Sequence, residues 1–313
     1  MSTPGQFTLN PVHGATEKYI ELPEDKQKIC WGTIVVLTAL LILSYLDSFE
    51  RISYSWSTPQ YSHGYLIPLF AIALLAMRRK LFVQVPTWHR WVGCAIVAAG
   101  IAMRLVGGVT VTFSLDNMSF IPCVLGIFVM VGGLPSFKWA GPAVAFLFFM
   151  YPFPRAVEDM VMRPMQKLAT MASNYVLITL GVDCYREGNV INLVSRDMPL
   201  NVAEQCSGLR MLTIFTALAV AMALIFTDRT WWERALIVIS AIPIAIGVNV
   251  FRITLTGVLY NLNVTTDLAD KVFHDLAGWI MMPLALGLLY LEIHILGRLF
   301  VDTPQEAAPV RVA

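Results

Sequence analysis

Residues 235–259 read ALIVISAIPIAIGVNVFRITLTGVL, an apolar run in which Arg252 is the single charge. Roughly 20 predominantly apolar residues suffice to cross the ~30 Å hydrocarbon core of a bilayer. Lipid offers no hydrogen bonds to the backbone, so such a run has to satisfy its own amides as a helix. The stretch therefore reads as a membrane span with a guanidinium inside it.

The rest of the 313-residue chain repeats the pattern. Apolar residues make up 57% of it and charged residues 14%, with a mean hydropathy of +0.66. Soluble domains sit nearer half apolar and a quarter charged, and the excess here calls for a lipid environment. Further apolar runs cover about 30–46, 61–77, 91–106, 119–134, 139–153, 208–226 and 276–296. The expected fold class is an all-α polytopic membrane protein of about eight transmembrane helices, with little room for a separate soluble domain. A polar tail is expected over 1–29, without the apolar core of a cleavable signal, and a second over 301–313. The net charge of +1 says nothing about an acidic partner, but the absence of a basic stripe argues against nucleic acid.

Residues 155–205 break the pattern. Tyr151-Pro152-Phe153-Pro154 stops a helix, because proline lacks an N–H and restricts the residue before it. Residues 156–180 then have helical periodicity with Glu158, Asp159, Arg163, Gln166 and Lys167 on a polar side, as in an interfacial helix or a poorly apolar span. Two short extended segments, 190–194 and 198–202, flank the turn-like Ser195-Arg196-Asp197. They predict a β-hairpin just before the sixth span.

Lysine and arginine in short loops set the orientation. Arg78-Arg79-Lys80, Arg90, Lys138, Arg229, Arg234 and Arg298 fall on one side if the N-terminal tail is cytoplasmic. The intervening short loops hold only Arg51 and Lys271, and the basic residues of the long 155–205 segment obey the rule weakly, so both termini are expected in the cytoplasm. Cys206 then falls where the sixth span begins from outside, Arg252 in the outer part of the seventh, and His274 where the eighth begins from outside. Shifting the count by one span would separate them.

Each of the three suits chemistry. In Glu204-Gln205-Cys206-Ser207-Gly208-Leu209-Arg210 a polar-to-apolar switch marks a helix start. A helix N-terminus and a nearby cation such as Arg210 favour a thiolate. Ser207 stands near the cap, free N–H groups there suit an oxyanion, and Gly208 permits close approach of a substrate backbone. A buried structural cysteine is the plainer reading. Arg252 costs ~3 kcal/mol or more at the centre of a span, which favours a function over snorkelling. Asn249, one turn away, shares its face. His274 has the proton affinity of a general base, with Asp275, Asp270 or Asp267 to orient it. His63, in Tyr61-Ser62-His63-Gly64-Tyr65, begins the second span from the same side. His13, His89 and His294 lie on the cytoplasmic side, and Arg104 reads as structural. The five cysteines form no C-x-x-C pair, and no H-E-x-x-H or Gly-x-Ser-x-Gly motif occurs. No metal or cofactor is expected, and cysteine is the only nucleophile on offer.

The ordered set Cys206-Ser207-Gly208-Leu209-Arg210, Asn249-Val250-Phe251-Arg252 and His274 resembles the exosortase/archaeosortase family, as do Tyr61-Ser62-His63-Gly64 and Pro152-Phe153-Pro154. The resemblance covers roughly residues 30–300, with 155–205 as an extracytoplasmic or interfacial segment. It implies a bacterial inner-membrane cysteine peptidase or transpeptidase with its active site facing the periplasm. Its partners would be membrane lipid, an unknown acceptor nucleophile, and secreted proteins bearing a C-terminal sorting signal: a short motif (Pro-Glu-Pro in the commonest branch), an apolar span and a basic tail. The family's catalytic cysteine, arginine and histidine correspond to Cys206, Arg252 and His274. The residues themselves leave open a transporter or polysaccharide-export subunit built around Arg252. They also leave open a membrane glycan or lipid transferase without a cysteine nucleophile.

Overall fold

A computed structural model of the protein describes residues 20–58, 61–194, 198–201, 208–227, 229–262 and 277–299. The chain is mostly helical. In order come α1 (Glu24–Ser44), α2 (Leu46–Trp56), a 3-10 turn (Ser62–Tyr65), α3 (Ile67–Arg78), α4 (Thr87–Val109), α5 (Phe113–Met118) and α6 (Phe120–Gly132). Then follow α7 (Leu134–Phe146), a second 3-10 turn (Leu147–Met150), α8 (Arg155–Thr179), strands β1 (Cys184–Glu187), β2 (Val190–Leu193) and β3 (Met198–Asn201), and helices α9 (Gly208–Ile225), α10 (Trp231–Asn261) and α11 (Ala277–Leu299).

Among the described residues, four helical stretches are long and apolar enough to cross a membrane: Glu24–Ser44, Thr87–Val109, Phe113–Gly132 and Trp231–Asn261. Four further apolar helices are shorter over the described residues: Ile67–Arg78, Leu134–Met150, Leu212–Ile225 and Leu286–Ile295. Every apolar run of the sequence thus lies on a helix, and four of the eight expected crossings meet the length requirement. Many large apolar side chains point outward, Val36, Leu40, Leu69, Ile72 and Leu105 among them, as a lipid-facing surface requires.

The polar N-terminal segment is held earlier than its composition suggests. Gln27 donates through Nε2 to the Phe82 carbonyl (2.8 Å) and accepts the Phe82 N–H at Oε1 (2.9 Å). Glu21 and Val83 form an isolated antiparallel bridge. One glutamine thereby does for an extended loop what a neighbouring strand would do.

Helices α4 and α6 pack closest, through glycines. Gly93, Gly100 and Gly107 recur every seven residues along α4 and are buried, and a Cβ on Gly93 would overlap the Met130 backbone. Small residues allow this approach where lipid supplies no hydrophobic drive between helices. Gly93→Ala is expected to destabilise the bundle by about 1–3 kcal/mol, measured as a lower unfolding midpoint in detergent. Gly32→Ala, with open space around it, serves as the silent control.

The expected hairpin is present and larger. Strands β2 and β3 pair antiparallel from Val190↔Asn201 to Leu193↔Met198, and β1 adds to the other edge of β2. Its buried side chains, Ile191 and Leu193, join Ala169 and Leu177 of α8 and Ile253 of α10 in one apolar cluster. The sheet is therefore a lateral support for the Arg252 stretch of α10. Helix α8 is not among the membrane-crossing candidates. It packs along α10, with the Ser173 hydroxyl donating to the Val250 carbonyl (3.3 Å) and Leu177 against Gly257.

Candidate functional site

Cys206, Ser207, His274 and Asp275 lie outside the described residues. The backbone of Gly208 and Arg210 forms the first described turn of α9, and Asn249 and Arg252 stand on α10. The flanking helices nevertheless give relative depths. At 1.5 Å per residue, Gly208 stands ~26 Å above Ile225 and Arg252 ~32 Å above Trp231, the two ends of one short connection. Gly208 and Arg252 are thus within about one helical turn of the same level. Helix α11 is anchored to α10 where the Ser240 hydroxyl donates to Glu292 Oε2 (2.6 Å). Counting from that bond, Ala277 stands ~22 Å up and Arg252 ~18 Å up. The described starts of α9 and α11 and the Arg252 turn of α10 therefore share one end of the bundle.

The opposite end collects the basic loops. Arg78 at the end of α3 donates to the Leu224 carbonyl at the end of α9 (2.8 Å). Phe82 and Val85 of the following loop lie against Gly132 and Gly133, where α6 passes into α7. Three loops singled out by their lysines and arginines thus meet at the end remote from Arg252.

Arg252 is half-buried, and its turn is polar inside. Asn249 is 2% exposed, and its side-chain carbonyl has no hydrogen-bond partner among the described residues. The Thr254 hydroxyl, also buried, is likewise unpartnered among them. Leaving such groups unmade costs about 1–3 kcal/mol each, so their retention in an apolar helix points to a ligand or to residues outside the described set. The Thr256 hydroxyl donates to the Arg252 carbonyl (2.9 Å), which turns its polarity inward. Helix α8, which packs along α10 through Ser173 and Val250, carries buried Gln166, Thr170 and Ser173.

His63 is buried at 8% exposure. With Ser62 it forms the polar part of an otherwise apolar cavity of about 240 Å³, bounded by Phe146 of α7, Phe215 and Leu218 of α9, and Leu286 of α11. That cavity follows α9 inward from about two turns below Gly208. The Tyr61 ring lies 6.3 Å from the His63 ring, and its hydroxyl donates to Glu158. Burial, with Asp159 next door, lifts the Glu158 carboxyl above its ordinary range. The pairing of Tyr61 with Glu158 escaped the sequence reading because it joins positions 97 residues apart.

Two other features resolve as structural. Arg104 packs 3.9 Å from the centre of the Tyr45 ring, donates to the Ser44 carbonyl (2.6 Å) and pairs with Asp116 (3.6 Å), which also holds Arg51 (3.2 Å). The described cysteines, Cys30, Cys94, Cys123 and Cys184, are all free thiols. Cys123 is fully buried beside Tyr45. Burial and Asp183 hold the Cys184 thiol above its ordinary range, with its sulfur 3.6 Å from Asn174 Oδ1. Neither environment favours a thiolate.

No curated protein and no solved structure matches the chain. The transmembrane exosortase family (Exosortase_EpsH) matches residues 56–291, three quarters of the sequence, a span that begins before His63 and ends beyond His274. With apolar helices throughout and the Arg252 turn within that match, the chain belongs to the transmembrane exosortase family.

Proposed function

We propose that the protein is a cysteine peptidase or transpeptidase that removes a C-terminal sorting signal of the Pro-Glu-Pro type from secreted proteins, at the outer face of a bacterial inner membrane. The observation that carries the reading is Arg252, a guanidinium in an apolar helix beside Asn249, whose buried side-chain carbonyl has no partner among the described residues, level with the described starts of α9 and α11. Membership of the transmembrane exosortase family supports this reaction class.

In this reading the Cys206 thiol gives its proton to His274, and the thiolate sulfur bonds to the scissile carbonyl carbon. The carbonyl π electrons move to oxygen, where Arg252 and N–H groups at the start of α9 stabilise the negative charge. Collapse breaks the C–N bond, and the amine leaves with the proton returned by His274. The resulting thioester passes its acyl group to water or to an amine or hydroxyl acceptor, regenerating the thiol. The apolar cavity beside α9 supports a route by which an apolar substrate segment approaches from within the membrane.

The test removes every other thiol. A variant with Cys30, Cys94 and Cys184 changed to alanine and Cys123 to serine should process a co-expressed sorting-signal substrate close to the wild-type level. It should then lose that activity on treatment with a membrane-impermeant thiol reagent added from outside. Activity that survives complete labelling of Cys206 removes the covalent mechanism. Labelling only after the membrane is opened removes the outward orientation.

A further inference from the structure

The end of the bundle remote from Arg252 holds a bay of about 870 Å³ lined by Arg78, Arg79, Lys80, Lys138 and Arg234, together with apolar residues and Thr227. No acidic side chain lines it among the described residues. Glu233, the nearest acid on α10, is buried and engaged by Thr230 and by Arg229 (3.5 Å). None of the five lining cations forms an ion pair among the described residues. Arg78 and Arg234 are held in place by carbonyls instead, Arg78 by that of Leu224 and Arg234 by those of Arg229 and Thr227. The Arg78 Nε is buried without a partner among the described residues.

Five like charges lining one bay repel each other and raise its positive potential, so an anion inside would be stabilised. The first turn of α7 adds to the field. Leu134 and Pro135 line the bay at a helix start that no side chain caps, and the partial positive charge there attracts an anion. The rim is apolar, with Met77 and Leu81 more than half exposed beside the cations. A cationic floor with an apolar rim, at the end of membrane-crossing helices, suits an amphiphile rather than a soluble anion.

We infer that this bay binds the phosphate of an anionic phospholipid headgroup. Arg79, Lys80 and Lys138 are exposed on the lining, so they can be changed without disturbing the core. Purified protein in non-ionic detergent is titrated with phosphatidylglycerol or with phosphatidylcholine of the same acyl chains, and thermal unfolding is followed. Phosphatidylglycerol should raise the midpoint at a concentration on the order of tenfold lower than phosphatidylcholine. The triple variant Arg79→Gln, Lys80→Gln, Lys138→Gln should lose that preference, and Arg79→Lys with Lys138→Arg should keep it. Equal responses of the wild type to the two lipids, or a preference that persists in the triple variant, overturns the proposal. Inorganic phosphate at matched concentration is expected to be silent. A shift of equal size from phosphate alone overturns the assignment to lipid.

Discussion

Cys206→Ala will abolish processing of a sorting-signal substrate, with any residual rate lower by on the order of 10⁴-fold or more. A nucleophile that forms the covalent intermediate has no substitute once its sulfur is gone. The four described cysteines are buried or half-buried free thiols, and the one nearest the Arg252 stretch, Cys184, has its thiol held above the ordinary range by burial and Asp183. The substitution removes one small side chain, so the amount of folded protein should be unchanged. Both quantities can be read from one experiment, the ratio of processed to unprocessed substrate and the abundance of enzyme in the membrane. A transporter or a transferase without a cysteine nucleophile predicts unchanged function in the same variant. Processing at the wild-type rate with the protein at normal abundance would end the peptidase reading.

Arg252→Lys is the second decisive substitution. It preserves the positive charge and the long stem, so a residue that merely reaches for the headgroups would tolerate it. A guanidinium that steadies an oxyanion would not. Its planar fork presents several N–H donors in fixed geometry, whereas an ammonium offers a compact, strongly hydrated charge. The expected loss is about 10²–10³-fold in kcat, the range for removing one oxyanion donor, with little change in KM. Wild-type turnover in the lysine variant would return Arg252 to a structural role. A loss confined to KM would make it a docking group rather than a stabiliser of the transition state.

The helices were legible in the sequence because lipid imposes one rule on every span. Each apolar run therefore fell on a helix, and the prolines at 152 and 154 separated α7 from α8. The hairpin was legible from its β-branched residues and turn. Strand β1 was not, since Cys184-Tyr185-Arg186-Glu187 carries two charges, and it joins the sheet only through the edge that β2 offers. The glycine contacts between α4 and α6 were likewise hidden, because a glycine's neighbour depends on tertiary packing.

The candidate site divides along the same line. Arg252 announced itself as a charge in an apolar run, and counting spans placed it level with two further reactive residues. The buried carbonyl of Asn249, the cavity beside His63 and the pairing of Tyr61 with Glu158 come from residues contributed by separate helices. No local pattern encodes them. Arg104 and Arg252 look alike in sequence, each an arginine near the end of an apolar run. The structure accounts for Arg104, which has a carboxylate, a carbonyl and an aromatic ring around it.

The length of α10 has a consequence for substrate choice. From Trp231 to Arg252 the helix rises ~32 Å, close to the ~30 Å thickness of a hydrocarbon core. On the proposed function, a substrate lying parallel to α10 would have its own hydrophobic stretch measured against that rise. With its basic tail held at one boundary, a stretch of about 21 residues brings the scissile bond level with Arg252. A shorter stretch leaves the bond submerged, and a longer one must tilt to keep it in register. The helix that supplies the arginine would then also act as a molecular ruler, selecting cargo by the length of its anchor as well as by the motif beside it.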